Sequence, residues 1–461
     1  MNRRIQRLVA NGIIATVLTP TVLAPGALGL SLIVGPSVAA AETLSEALAQ
    51  AYANNSMLAA ARAELRRTDE LVPEALSGWR PQADVTTGGG YVFSGGGSGG
   101  ASNVTQSSGP AVALDLRVKQ PIYNFVTPAT VRQAKSAVRA QRARLTAVEQ
   151  DTLLHTATAY LDVLRAESVL QLTGDQQRQL DRDLQSAQRR FALGELKNSD
   201  IAQSEAGVAR ARAMRTQAEG SLQSARAALS ALTGSAPDAL TMPVMPDDLP
   251  ATEAEAADAS VNSPNVIAAD FALRAAEDGV DVSFGQELPQ AYVQADAGAS
   301  TQSILGLVSF PLYHGGMLDA QVRAAKQLVG QRQREADGQR RQAKQAAITA
   351  WALLQSGRAN EESYQAQVKA TQVAADGIGR EGGLGLRTMT DVLLSRQQVL
   401  EAQVESLGAQ RDALVGAYQL LAAVGRLTAN DLNLDVQKYD PTAHYNDVSQ
   451  LWGGRDIGDD K

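Results

Sequence analysis

The chain has 461 residues, with 42 Lys+Arg against 49 Asp+Glu for a net charge of −7, and it contains three His and no Cys. An acidic total without a basic block argues against a nucleic-acid partner, because phosphate recognition needs clustered Lys and Arg. The lack of Cys excludes disulfides, thiolate metal sites, Cys nucleophiles and lipid attachment at an N-terminal Cys, and the wide spacing of His155, His314 and His444 argues against a His-based metal cluster.

Arg3, Arg4 and Arg7 precede an uncharged run from Leu8 to Ala41 that ends in Val38-Ala39-Ala40-Ala41. A basic start, an apolar middle and a small-residue exit predict a secretory signal peptide over residues 1–41. The alternative is a retained membrane anchor, but Pro20, Pro25 and Pro36 interrupt the run, and Ala39 and Ala41 fit the cleavage rule. No later segment is long and apolar enough for a membrane-spanning helix, which needs about eighteen such residues. The mature protein is therefore expected outside the cytoplasm, either soluble in an envelope space or crossing a membrane with strands.

A strand is expected from Pro81-Gln82-Ala83-Asp84-Val85. A second follows in which Val112, Leu114, Leu116 and Val118 alternate with Ala113, Asp115, Arg117 and Lys119 and which ends at Pro121-Ile122-Tyr123. This period of two gives one apolar and one charged face. A Gly/Ser run from Ser94 to Gly109 joins the pair, a flexible polar connection with no compelled role. Next comes a proline-free stretch from Pro128 to Pro237, rich in Ala, Gln, Arg, Leu and Glu, all strong helix formers. A helix from Ala129 to about Phe191 would be roughly 95 Å long at 1.5 Å per residue. Leu193-Gly194 suits its C-terminus, and Asp200 suits the N-cap of a returning helix.

The same order then recurs. Pro289-Gln290-Ala291-Tyr292-Val293 opens a strand. Ile304, Gly306, Val308 and Phe310 alternate with Leu305, Leu307 and Ser309 up to Pro311-Leu312-Tyr313, and a second proline-free stretch runs to Pro441. Val131-Arg132-Gln133-Ala134-Lys135 matches Val322-Arg323-Ala324-Ala325-Lys326. Thr158-Ala159-Tyr160 matches Thr349-Ala350-Trp351, Leu193-Gly194 matches Leu384-Gly385, and Ser199-Asp200-Ile201 matches Thr390-Asp391-Val392. Gly234 matches Gly425, and every pair is 191 positions apart. An unbroken offset means rigid helical structure, because loops accept insertions and packed helices do not. Each copy is read as a long antiparallel helical hairpin. The apolar spacing is too irregular for a free-standing two-stranded coiled coil and favours packing among several helices. The organisation expected is residues 1–41 as signal, 42–240 and 241–425 as two structural repeats, and 426–461 as a C-terminal tail.

Residues 81–93, 110–125 and 289–313 hold seven of the nineteen aromatics. Aromatics near strand ends mark the two interfaces of a membrane barrel. An ordinary half-buried hairpin would give a similar pattern, but the export signal and strands of about ten residues favour the membrane reading. Four strands cannot close a barrel, and an open edge in lipid leaves backbone groups without partners. Strands that span the membrane must then be pooled by an oligomer.

The mature chain resembles the TolC family of outer-membrane channel-tunnel proteins from about Thr43 to Leu432. The resemblance is carried by Gln120-Pro121-Ile122-Tyr123, Thr156-Ala157-Thr158-Ala159-Tyr160-Leu161-Asp162-Val163-Leu164 and Arg190-Phe191-Ala192-Leu193-Gly194. In the second copy it is carried by Pro311-Leu312-Tyr313-His314-Gly315-Gly316 and Gly385-Leu386-Arg387-Thr388-Met389-Thr390-Asp391-Val392-Leu393. It implies a mainly α fold with membrane β structure: a homotrimer pooling four strands per chain into one β-barrel, continued by a long α-helical barrel across the periplasm. It also implies a location in the outer membrane and docking to a periplasmic adaptor and an inner-membrane ABC or proton-driven transporter. The cargo would be type I secreted protein or small toxic compounds, and the missing Cys favours the unlipidated branch.

The resemblance further implies that Leu193, Gly194, Leu384 and Gly385 are adaptor-docking hairpin tips, and that Asp115, Arg117 and Lys119 face the barrel lumen. Asp391 falls on an aspartate of the family's inner aperture, and Leu394 stands where a second acid is found. Arg387 falls on a linking arginine, Ser199 on its hydroxyl partner, and Asp200 on another linking residue whose aromatic partner is here Gly382. Capping alone would also account for Asp391 and Asp200, and Arg387 could be a solvated charge. No nucleophile–base pair, phosphate loop, metal spacing or cofactor motif appears, so no enzyme activity or cofactor is expected. The competing reading is a periplasmic adaptor or scaffold, but adaptors carry one hairpin between compact β modules and this chain carries two.

Overall fold

The computed structural model describes residues 42–92, 109–237, 239–298 and 302–455. The expected signal peptide, nearly all of the Gly/Ser run and the last residues of the acidic tail lie outside them. In chain order the elements are α1 (Leu44–Asn54), α2 (Ser56–Asp69), α3 (Leu71–Leu76), β1 (Gln82–Val92), β2 (Gly109–Tyr123), α4 (Val126–Ala192) and α5 (Asn198–Thr233). They continue with α6 (Glu253–Ala259), α7 (Pro264–Gly285), β3 (Gln290–Ala297), β4 (Gln302–Ser309), α8 (Met317–Gly383), α9 (Met389–Ala423) and α10 (Ala443–Val448).

Both long helices have 67 residues, and adding 191 to the bounds of α4 gives those of α8. Each is about 100 Å long at 1.5 Å per residue. The one proline near their ends, Pro128, sits in the first turn of α4, where no intrahelical N–H is lost. Both stop by the same device. Gly194 and Gly385 take left-handed φ of 81° and 78°. Behind them Glu195 N–H donates to Arg190 O at 3.0 Å, and Leu386 N–H to Glu381 O at 2.9 Å. These are Schellman closures, and only a residue without Cβ takes that φ at no cost.

Beyond the sheet-proximal part, the helices lie side by side in the order α5, α4, α9, α8, while α7 packs between α4 and α8 nearer the strands. The buried side of α8 is small: Ala336, Ala347, Ala350 and Gly357, with Leu354. A Cβ on Gly357 would fall 2.8 Å from Cα of Ala413, and one on Gly416 would fall 3.1 Å from Cα of Leu354, so the backbones of α8 and α9 nearly touch. From Ala413 to Leu421 the α9 helix is buried on almost every side, as a helix enclosed by neighbours must be. The largest apolar core gathers Leu48, Leu58, Leu153, Leu229, Leu421 and Leu427 around a fully buried Tyr160.

The four strands form one antiparallel sheet in the order β1-β2-β3-β4, with a register irregularity between Pro121 and Tyr123. The β1 and β4 edges have no neighbouring strand among the described residues.

Candidate functional site

The register fixes what each face of the sheet carries. Asp84 lies opposite Arg117 and Thr86 opposite Asp115. Arg117 in turn lies opposite Asp296, and Lys119 opposite Gln294. The Arg117 Nε–Asp296 Oδ1 distance is 2.8 Å, and the Lys119 ammonium sits 4.1 Å from the Tyr292 ring centre. Asp115, Arg117 and Lys119 thus share one polar face. The reverse face presents Val85, Leu114, Leu116, Ile304 and Val308, all exposed, with Ile304 at 78%. Such a contiguous exposed apolar surface is what a lipid- or protein-facing sheet carries. Below the strands, Tyr123, Phe125, Leu312 and Tyr313 are also exposed, and the rings of Tyr123 and Phe125 meet edge-on at 4.8 Å.

At the other end of the hairpins, Leu193 and Leu384 project from the two turns at 75% and 77% exposure, each followed by its left-handed glycine. Asp391 lies in the first turn of α9. It is not the N-cap expected from its position after the turn. Thr388 is the N-cap, and Asp391 is the third helical residue. The Thr388 backbone N–H and hydroxyl donate to Asp391 Oδ2 at 3.1 and 2.8 Å, and Asp391 N–H donates to the Thr388 hydroxyl at 3.2 Å. The Thr388 hydroxyl and backbone N–H, with Arg387 nearby, hold the Asp391 carboxyl below the usual carboxylate range. Asp200 departs from expectation in the same way: Lys197 precedes the helix, and its N–H donates to Asp200 Oδ2 at 3.0 Å. Both helices begin before these aspartates, so the acids close the first turn from inside it. The Thr388-Met389-Thr390-Asp391 spacing is a capping-box signature, and sequence reasoning passed over it.

Arg387 is engaged by its own hairpin: its Nε lies 2.8 Å from Glu381 Oε2. Ser199 is the second residue of α5. Within one chain the two hairpins are joined instead by residues that sequence reasoning missed. Arg396 Nε lies 2.9 Å from Asp183 Oδ2, and Arg411 Nε lies 2.8 Å from Asp162 Oδ1. Thr390 Oγ1 donates to Gln203 Oε1 at 2.5 Å. Leu393 packs against the cluster of Leu180, Val208 and Ala211, close above Gly207. Among the described residues no group of His, Asp and Glu could hold a metal ion, and no helix is long and apolar enough to cross a membrane.

Residues 47–235 match the model of the outer membrane efflux protein family. Outer membrane efflux protein BepC of Brucella suis biovar 1 (strain 1330) is 32% identical, over 90% of this chain and 92% of its own. Outer membrane protein TolC of Escherichia coli (strain K12) is 26% identical, over 89% of this chain and 87% of its own. Among solved structures, the Campylobacter jejuni CmeC outer membrane channel superposes with a TM-score of 0.75 at 16% identity, over 88% of this chain and 89% of that one. Two repeats of strand pair and long helical hairpin, the two-faced sheet and this similarity along nearly the whole chain agree: the protein belongs to the TolC-type outer membrane efflux protein family.

Proposed function

We propose that the chain works as a homotrimeric duct, open to the cell surface through a shared β-barrel and to the periplasm through a helical tunnel. The observation that supports this most strongly is the sheet. It has an exposed apolar face, a polar face and two edges with no neighbouring strand among the described residues. In lipid those edges require partners, and four strands are too few to close on themselves. Edge pairing of β4 with the β1 of a neighbouring copy closes the cylinder. It turns Asp115, Arg117 and Lys119 toward a water-filled lumen and Ile304 and Val85 toward lipid. The helical hairpins prolong the cylinder inward.

The duct has no chemistry of its own in this reading, and its energy comes from an inner-membrane ABC or proton-driven transporter coupled through a periplasmic adaptor. Leu193, Gly194, Leu384 and Gly385 supply exposed tips for that adaptor. Asp391 contributes one carboxylate per chain to a ring at the inner mouth, where converging charges focus a field that admits cations and repels anions. Arg387, Ser199 and Asp200 tie the tips in the closed state. The cargo is type I secreted protein, small toxic compounds, or both. Deleting the gene and comparing secreted proteins with sensitivity to dyes, bile salts and antibiotics tests this. Loss of either secretion or resistance, restored by the intact chain, is the expected result, and a deletion strain unchanged in both would contradict it.

A further inference from the structure

The C-terminal tail returns to the foot of the sheet. Tyr445 of α10 packs against the cluster of Val72, Ala75, Ala134 and Val138, and a few residues later the backbone reaches Arg80. Arg80 Nη1 donates to Leu451 O at 2.5 Å, and its guanidinium lies 5.1 Å from the centre of the Trp452 ring. Just beyond Arg80, β1 begins at Gln82. One hydrogen bond and one cation–π contact therefore tie the tail to the first residues of the sheet, across 371 positions of sequence. Leu451 and Trp452 nevertheless remain 52% and 74% exposed.

The strands fix the level at which this pair lies. β1 has 11 residues, about 37 Å at about 3.4 Å per residue, so when tilted it crosses an apolar belt about 25 Å tall with its foot at one interface. That foot is the end from which α4 and α8 continue, and Tyr123, Phe125 and Tyr313 are exposed there. Gln120 fixes the side. It follows Leu116 and Val118 on the apolar face of β2, and its Nε2 donates to Trp79 O at 2.9 Å. The turn that carries Arg80 therefore lies on the side of the apolar face, away from the polar one. A Trp at such a level presents an apolar body to acyl chains and an indole N–H to headgroups, and the Arg80 charge beside it suits lipid phosphate.

On the membrane-crossing reading of the sheet given above, we infer that Leu451 and Trp452 form a lipid anchor, seated in the headgroup layer of the periplasmic leaflet beside the foot of β1. Arg80 is the positioning residue that holds the anchor at that level. The two exposed side chains gain apolar cover there, and the C-terminal tail joins the aromatic ring at the foot of the barrel.

The lack of Cys allows single-site labelling of the full mature chain. Gly453→Cys carries a bimane fluorophore next to Trp452, at a position where an added Cβ meets nothing within 4 Å. Ile304→Cys on the apolar face of the sheet and Glu362→Cys on α8 are the reference sites. Each labelled protein is reconstituted in phosphatidylethanolamine/phosphatidylglycerol vesicles, with and without a phospholipid bearing a nitroxide on its headgroup or deep in its acyl chain. The headgroup nitroxide should cut fluorescence at Gly453→Cys about threefold, and the deep nitroxide by less than about 1.5-fold. Ile304→Cys should respond chiefly to the deep nitroxide, and Glu362→Cys to neither. Adding Trp452→Ala should abolish the response at Gly453→Cys, and Trp452→Tyr should keep most of it. Quenching at Ile304→Cys with none at Gly453→Cys puts the tail in water or against a neighbouring copy; it overturns the anchor and leaves the reading of the sheet standing. Quenching at Gly453→Cys that survives Trp452→Ala overturns the anchor as well. No quenching at either site overturns the anchor and the reading of the sheet together.

Discussion

The hydroxyl of Tyr160 and the backbone of Thr241 bond in both directions: the hydroxyl lies 2.7 Å from the Thr241 carbonyl oxygen and accepts from Thr241 N–H at 3.0 Å. The same hydroxyl is 2.8 Å from Glu42 O, where residues Glu42 and Leu240 form a parallel bridge. One fully buried side chain on α4 therefore pins both the start of the described chain and the segment leading into the second repeat. Tyr160→Phe takes the hydroxyl donor from the Thr241 carbonyl, while the Thr241 N–H keeps Glu42 O at 3.2 Å, and it should cost about 0.5–1.5 kcal/mol. A lower thermal midpoint and faster proteolysis near Glu42 would show it, and an unchanged midpoint would count against this role.

Close backbone approach predicts where glycine is indispensable. Gly357→Val places a Cβ 2.8 Å from Ala413 Cα, a backbone atom that cannot move aside without parting α8 from α9. Overpacking of this kind costs about 1–3 kcal/mol. Gly174→Ala meets only the Arg178 guanidinium at 3.7 Å, so it should be neutral or gain up to about 1 kcal/mol from the helix interior. Paired thermal melts check the contrast.

The Asp391 carboxylate gives a prediction with a pH signature. Asp391→Asn keeps an acceptor for Thr388 but removes the charge, so cation selectivity in planar bilayers should fall while the helix start survives. In the wild type, the folded state holds this carboxyl below the usual range, chiefly through the Thr388 hydroxyl. Its charge, and the selectivity it gives, should persist above the ordinary carboxylate pKa and be lost only as pH falls below it. Equal selectivity in wild type and Asp391→Asn would remove this residue from the pore.

Asp69 has the opposite sign. It is fully buried at the end of α2, neither carboxylate oxygen has a hydrogen-bond partner, and burial pushes its carboxyl up to about 6 against the pull of Arg142 and His444. A raised acid pKa means the folded state favours the protonated form. Stability should therefore rise as pH falls through about 6 toward the ordinary carboxylate value, by at most about 3 kcal/mol. Asp69→Asn should raise the melting temperature at about pH 8 and flatten the rise between about pH 8 and pH 5. A variant that melts lower at both values would contradict the assignment.

The hairpins were legible because α4 and α8 tolerate no insertion: Leu193-Gly194 and Leu384-Gly385 keep their offset and close their helices by the same hydrogen bond. The faces of β2 were legible for an equally local reason, since Leu114 and Asp115 alternate as the pleat requires. The helix starts were misread by three residues because Asp200 and Asp391 are good caps in isolation, and the competing Thr388 draws no attention without the turn geometry. The cross-hairpin pairs were not legible at all. Asp162 and Arg411 stand 249 residues apart, and nothing in the local pattern of either helix distinguishes them from the many other charges that face solvent. Lateral packing of α4 on α9 is a tertiary fact, and periodicity carries no information about it.

The central claim is that strands from identical chains complete one sealed cylinder in the outer membrane. The most direct measurement is the mass of the mature protein extracted from outer membranes in mild detergent, with the detergent contribution subtracted. A value of about three times the chain mass, with precipitation when detergent is withdrawn, is the predicted result. A monomer that stays in solution in plain buffer would contradict it.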